Sequence, residues 1–246
     1  MSYPRAVPRS AGVRPALVLA VDTATPAVTA AVVALPAAGR ALAVATRVTV
    51  DARRHGELLA PSIVAALAGA GVAAGKLTAV VAGTGPGPYT GLRVGLVTAA
   101  SLSDALGIPA YGVCSLDAVA APAMPVLPAI GGRLLAATDA RRREVYWAGY
   151  GPGGERVAGP AVDRPADLAS RLGDLGLSAM CGAGARMYAG VLGLPLLDPD
   201  FPDPVALVAL ARDRVLGGAP SDPLTPLYLR RPDVAEPTRP KAVTPA

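Results

Sequence analysis

The spacing of apolar residues changes its period at residue 55, and this change constrains the fold more than any other feature of the chain. Before it, Ala16–Asp22, Ala27–Leu35 and Ala41–Val50 are runs rich in Val, Ala and Thr, separated by the short segments Thr23–Pro26 and Pro36–Gly39. Runs of this kind with tight connections form the sequential strands of an antiparallel meander. From His55 onward, Leu58, Leu59, Ile63, Ala66, Leu67 and Ala70 fall at the spacing of one helical face. Pro61 must lie in or near the first turn of that helix, or kink it, and Gly69 and Gly71 end it. Thr78–Gly83 reads as a buried strand. A second helix follows, capped by the Thr90 hydroxyl, and runs to about Leu106, where Gly107 stops it and Pro109 prevents resumption. Ala110–Val113 is one more strand. The order β-β-β-α-β-α-β gives a mixed sheet with helices on its faces.

The rest of the chain offers a weaker second copy. Arg133–Ala137, Glu144–Tyr150 and Leu177–Cys181 read as strands, and Pro165–Leu175 and Pro204–Gly217 as helices. The order of the first half resembles the ribonuclease H-like unit that is duplicated in the actin, sugar-kinase and Hsp70 superfamily. The expected class is therefore α/β, with two ribonuclease H-like (actin-like ATPase) lobes. Each is a mixed five-stranded sheet with helices, and the second is degenerate. The expected boundaries are a flexible arm over 1–15, an N-terminal lobe over 16–112, a second lobe over 113–218 and a Pro-rich tail over 219–246. The last helix of the second lobe is expected to pack back on the first lobe.

Composition narrows the class. Charged residues make up 17% of the chain and apolar ones 52%, the balance of a globular protein. Pro and Asp interrupt every apolar stretch before the roughly 20 residues that a membrane span needs, and no apolar core follows the arginines of residues 1–15 as it would in a secretory signal. A cytoplasmic protein is the expectation. Cys114 and Cys181, each at the end of an apolar run, are expected as buried free thiols. The net charge of +5 is unevenly placed. Residues 1–15 carry three arginines and no acid, and 229–246 a net of two positive charges, which leaves the body neutral. A protein that holds RNA unaided usually shows a basic face on its body. Arg141-Arg142-Arg143 is the one cluster there and reads as a solvated turn.

The glycines at 83, 85, 87, 91 and 95 lie between a buried strand and a helix, where backbone N–H groups can face an anion. No Gly-Lys-Ser/Thr follows, so this is not a P-loop. No strand-borne acid follows about twenty residues on, so it is not a dinucleotide fingerprint. Asp22 either helps to hold hydrated magnesium near phosphates or closes its own turn by side-chain hydrogen bonds. Asp139-Ala140-Arg141 reads as an Asx-type hairpin turn. There is no Gly-x-Ser-x-Gly elbow, and His55, the chain's single histidine, has no partners for a triad.

The whole run Gly83-Thr84-Gly85-Pro86-Gly87-Pro88-Tyr89-Thr90-Gly91-Leu92-Arg93-Val94-Gly95 resembles a segment of the TsaB (YeaZ) family. Five further motifs resemble that family in the right order: Leu19–Thr25, Arg54–Pro61, Asp139–Tyr146, Cys181–Ala185 and Pro226–Arg230. One departure stands out, since the family's Ser-Phe is Pro88-Tyr89 here. Pro88 has neither backbone N–H nor hydroxyl, so two potential anion donors are lost. The catalytic relative TsaD carries a metal-binding His pair, and the matching positions here are Ser115 and Val119.

The resemblance implies a non-catalytic partner subunit. It would dimerise with TsaD and work with the ATPase TsaE. Together they attach a threonylcarbamoyl group to the adenosine next to the anticodon in tRNAs reading codons that begin with A. No catalytic or metal residue is expected, tRNA is reached only through the complex, and the chain alone can pair with itself. No cofactor is expected on the isolated chain; ATP or ADP with Mg belongs to the complex interface. The partner interface is expected on a second stripe of the two N-lobe helices: His55, Leu59 and Ser62 on one, Leu92, Leu96, Ala99 and Ser103 on the other. Phosphate-facing candidates are Asp22, Thr23, Gly85, Gly87, Thr90, Gly182 and Gly184. The alternative reading is a stand-alone ATP-binding phosphotransferase or ATPase, and a third is a direct tRNA-binding module.

Overall fold

The computed structural model describes residues 15–230. The basic arm over 1–14 and the end of the Pro-rich tail, 231–246, lie outside the described residues. The first lobe contains strands β1 (Ala16–Asp22), β2 (Ala27–Leu35) and β3 (Leu42–Val50), then helix α1 (His55–Ala70), β4 (Ala79–Gly83), α2 (Tyr89–Leu106) and β5 (Ala110–Val113). Its sheet runs β3-β2-β1-β4-β5, with β1 antiparallel to β2 and parallel to β4. Short helices α3 (Ser115–Ala120) and α4 (Leu127–Ile130) then lead into the second lobe. It comprises β6 (Arg133–Asp139), β7 (Val145–Tyr150), β8 (Arg156–Asp163), α5 (Pro165–Ala169), β9 (Leu177–Cys181), α6 (Ala183–Met187), α7 (Ala189–Leu192) and β10 (Leu196–Leu197). The chain closes through α8 (Pro204–Leu210) and α9 (Arg212–Leu216).

The second sheet runs β10-β9-β6-β7-β8. Central β6 is antiparallel to β7 and parallel to β9, so it stands to its neighbours as β1 stands to β2 and β4. The second lobe thus keeps the topology of the first in shrunken form. Its crossover helices have five or fewer residues each, and its last strand has two. β8 carries Gly159-Pro160 inside a strand, a pair that reads as a loop, which is why the pattern of apolar residues hides it. The helices expected over 165–175 and 204–217 are interrupted, the second at Ala211, which leaves helical geometry at φ −94°, ψ 1°.

β1, β2 and β4 are near-continuous apolar runs because both faces of their sheet are covered. On one face Leu19, Val21, Val28, Val80 and Ala82 pack under Leu59 and Ile63 of α1 and Leu92, Leu96 and Ala99 of α2. On the other, Val18, Ala20, Ala31, Val33 and Val81 pack under Ala206, Leu207 and Ala211 from the segment of α8. Helix α3 packs on α8 and presents Leu116, Val119 and Ala120 to Leu134, Ala136 and Tyr150 of the second sheet. α3 and α8 therefore form a single layer between the two sheets. Residues 219–230 have no regular structure but are not loose. The backbone N–H of Asp222 donates to Ala110, its carboxylate accepts from Gly112, and the Leu227 N–H donates to Thr84.

Three expectations need correcting. Thr90 does not cap α2, because the helix begins at Tyr89 and Pro88 occupies the cap position with no side-chain bond. Pro61 lies inside α1 rather than in its first turn. His55, Leu59, Ser62, Leu92, Leu96, Ala99 and Ser103 form no outer stripe: all seven are buried in the chain's own interior. Their spacing marks the core-facing side, and the side turned away from the sheet is a neighbouring row about one step round each helix.

Close approach explains Gly87 and Gly95 of the loop, whereas Gly85 has a left-handed φ of 92° that favours glycine. A Cβ at Gly87 would meet the backbone of Ala24, and one at Gly95 would meet the Thr23 hydroxyl, whereas Gly56 has open space around it. We expect Gly87→Ala to cost about 2 kcal/mol or more, since backbone cannot yield as a side chain can. Gly56→Ala should gain about 0.5–1 kcal/mol from helix propensity. Urea unfolding of the two variants beside the parent checks both signs.

Candidate functional site

The end of β1 carries a buried polar knot. Asp22 accepts a hydrogen bond from the Ser115 hydroxyl at 2.6 Å and one from the Ala24 backbone N–H at 2.9 Å. Ser115 in turn accepts from the Gly85 N–H at 3.2 Å, and its own N–H donates to the Gly85 carbonyl at 2.8 Å. One serine at the start of α3 thereby holds the strand end and the glycine loop together. Gly83 is glycine for the same reason, because a Cβ there would run into Asp22 and Ser115.

Thr23 makes a second tie. Its hydroxyl donates to the Gly91 carbonyl at 2.8 Å and accepts from the Gly95 N–H at 2.9 Å. Gly91 and Gly95 are an i, i+4 pair, so the side chain inserts into the hydrogen-bond ladder of α2. His55 makes a third, with Nε2 2.8 Å from the Thr25 carbonyl. A carbonyl only accepts, so Nε2 carries the proton.

The structure thus brings Asp22, Thr23, Gly85 and Gly87 together at the end of β1, with the Asp22 and Thr23 side chains buried and Gly87 at the rim of a cavity. Gly182 and Gly184 lie apart from them in the second lobe. A Cβ at either would meet the backbone of Ala137 or Thr138 in β6. Thr90 is exposed at the start of α2. Among the described residues, no group of three His, Cys, Asp or Glu side chains could hold a metal ion. Cys114 and Cys181 are buried free thiols, and burial pushes their pKa values up to about 11 and about 12. No helix among the described residues is long and apolar enough to cross a membrane.

Beyond the knot, a cleft opens between the lobes. A cavity of about 420 Å³ is lined by Gly87, Pro88 and Tyr89 of the glycine loop, by Ala140, Arg141, Arg142 and Tyr146 of the β6–β7 hairpin, and by Tyr228–Arg230. A second cavity of about 290 Å³ shares Pro88, Tyr89 and Arg141 with it and continues past Arg53, His55 and Thr90. Arg93 packs over the Tyr89 ring, its guanidinium carbon 3.7 Å from the centroid, and bonds the Tyr228 hydroxyl at 3.0 Å. The rings of Tyr89 and Tyr228 stack with centroids 4.7 Å apart. The Asx turn expected at Asp139 is present, with its Oδ1 accepting from the Arg141 N–H at 2.8 Å. The three arginines after it are all left-handed, with φ values of 58°, 53° and 62°. Sequence reasoning missed the joining of Tyr89, Arg93 and Tyr228, because 135 residues separate Arg93 from Tyr228 and no periodicity links them.

Comparison with known proteins places this geometry among relatives. Residues 48–189 match the sequence-family model TsaD, described as tRNA N6-adenosine threonylcarbamoyltransferase. An uncharacterized protein of Mycobacterium leprae is 49% identical over 217 residues, covering 88% of this chain and 55% of the relative, so the chain spans about half of that protein. The Escherichia coli tRNA threonylcarbamoyladenosine biosynthesis protein TsaB is 37% identical over 98 residues, 40% of this chain and 42% of the relative. A Pseudomonas aeruginosa crystal structure, described as an uncharacterized protein with similarity to peptidase YeaZ, superposes with a TM-score of 0.69 at 31% identity. That match covers 87% of this chain and all of the other.

Burial pushes the Asp22 carboxyl up to about 6, with the Ser115 and Ala24 hydrogen bonds and the nearby His55 charge only partly opposing it. A carboxyl whose folded pKa exceeds its unfolded value costs stability once it ionises. That cost grows as pH rises from about 4 to about 6 and is constant above. Asp22→Asn keeps an acceptor for the Ala24 N–H and a partner for Ser115 without the charge. We expect the melting temperature of the parent, measured relative to Asp22→Asn, to rise as pH falls from 7 to 5. A constant difference over that range would contradict the assignment.

Proposed function

The chain belongs to the TsaD/TsaB family, in its TsaB (YeaZ) branch, and from that premise we propose that it is the non-catalytic partner subunit of a TsaD-type threonylcarbamoyltransferase acting on tRNA in the cytoplasm. The observation that carries this reading is the outward face of α1 and α2. Both helices cover the same face of the first sheet. On the side turned away from it, Ala60 and Val64 follow one another along α1, and Val97 and Ala100 along α2. Val64 is 66% exposed and Val97 62%. Two adjacent helices with small and apolar residues outward offer a close-packing surface to a second helix pair. A subunit of the same topology, carrying its own α1–α2 pair, has the matching shape.

The knot supports the non-catalytic part of the reading. Asp22, the acid at the strand end where a phosphotransferase would hold hydrated magnesium, is turned inward onto Ser115 and Ala24. Ser115, at the position of one histidine of the TsaD metal pair, holds the glycine loop through both its N–H and its hydroxyl. A TsaE-type ATPase would then join the pair of subunits, and nucleotide would belong to the assembly.

Mixing the purified chain with its own TsaD-type subunit tests the proposal. Co-elution is expected, together with stimulation of tRNA modification. Val64→Glu with Val97→Glu should weaken co-elution at least about tenfold while leaving the melting temperature nearly unchanged, because both positions are exposed. Absence of co-elution by the parent, or undiminished binding by the double variant, would sink it.

A further inference from the structure

The first sheet ends on β3, and among the described residues no strand pairs with its outer side. One bond fixes the orientation of that edge. The Asp51 N–H donates to the Pro26 carbonyl at 2.8 Å, and bonded pairs alternate along an antiparallel ladder. Ala45, Arg47 and Thr49 therefore turn their backbone groups to β2, and Thr46, Val48 and Val50 turn theirs outward. Val44 is unopposed at a bulge, so the regular stretch is 45–50. Edges open to water are usually blunted by polar side chains, yet Val48 is 49% and Val50 59% exposed here. Beside them runs a groove of about 310 Å³, between Thr46 and Val48 on the strand and Phe201, Pro202 and Val205 at the start of α8. An unpaired edge beside an apolar groove is a template for an added strand. The main chain supplies the bonds, and alternate side chains of the incomer enter the groove.

Charge identifies the occupant. Residues 40–54 hold four arginines and one acid, Asp51, which pairs with Arg54. Among the described residues, Arg40, Arg47 and Arg53 have no acidic partner. The Arg47 guanidinium lies against Gly69 of α1, and its Nη1 donates to the outward Thr46 carbonyl at 2.8 Å. A neutral strand would displace that bond and leave the charge unpartnered. An acid on the incoming strand gives Arg47 a stronger, charge-assisted partner. Like charge also disfavours a second copy of β3 and this chain's own ends: residues 1–14 carry three arginines and no acid, and 231–246 three cations and two acids. We propose that β3 receives an extended acidic segment of another protein as an added strand. Side chains alternate between faces, so its apolar residues enter the groove beside Val48 while its acids meet Arg47 on the other side. Neither Val64 nor Val97 takes part, so this binding stands or falls independently of subunit docking on the outer helix face.

Fluorescence anisotropy with the full chain and a labelled, end-blocked peptide of four Val-Glu repeats tests it at low salt. Saturable binding below about 1 mM is expected, with the matching Val-Lys peptide bound at least about tenfold more weakly. Arg47→Glu should remove that preference. Val48→Glu should lower affinity for the acidic peptide at least about tenfold while leaving the melting temperature nearly unchanged, because the position is exposed. Amide hydrogen exchange over residues 42–50 should slow when the peptide is bound, which a purely electrostatic contact would not produce. Failure of the parent to bind the acidic peptide, equal binding of the two peptides, or binding that leaves exchange over 42–50 unchanged would overturn the proposal. So would self-association of the chain that Val48→Glu abolishes, since the edge would then belong to a second copy.

Discussion

A single buried contact, the Ser115 hydroxyl on the Asp22 carboxylate, organises the region where both lobes meet. Burying a carboxylate is costly unless its oxygens are bonded. Here both are, one by Ser115 and one by the Ala24 N–H. The same serine clamps Gly85 through two further bonds and begins α3. α3 with α8 is the layer shared by the two sheets. Strand end, glycine loop and lobe junction are therefore fixed through one residue, and the glycines at 83, 87 and 95 are the space this closeness demands.

This packing divides the surface of the molecule. The knot at the end of β1 is turned into the interior, and two of the surfaces left for other molecules are the outer side of α1–α2 and the inter-lobe groove. The first is apolar and small-featured, suited to another folded subunit. The second is lined by arginines and tyrosines from both lobes. They are separate surfaces.

Much of the fold is legible in the sequence, because the first lobe writes its elements in clean periods. The runs before residue 55 and the helical spacing after it match β1–β3 and α1 closely. In the second lobe the helices shrink to about one turn, and Gly159-Pro160 interrupts β8, so periodicity there is too short to read. Helical spacing alone puts Leu59 and Leu96 on an outer stripe and does not single out Val64 or Val97. Leu59 and Leu96 are core, whereas Val64 and Val97 are outward, and only the position of the sheet decides that. The site was least legible. Ser115 looked inert because it is no metal ligand, and its role depends on Asp22, 93 residues away. Arg93 and Tyr228 likewise meet only through the path of residues 219–230 along the first lobe.

The claim that the glycine loop is a structural joint can be tested directly by amide hydrogen exchange at Ala24, Gly85 and Gly95. Each donates to a side-chain oxygen of the buried knot. If the knot holds the loop, these amides exchange only with global unfolding, at rates that Mg-ATP leaves unchanged. Fast local exchange without nucleotide, slowed on adding Mg-ATP, would show instead an open cradle waiting for phosphate.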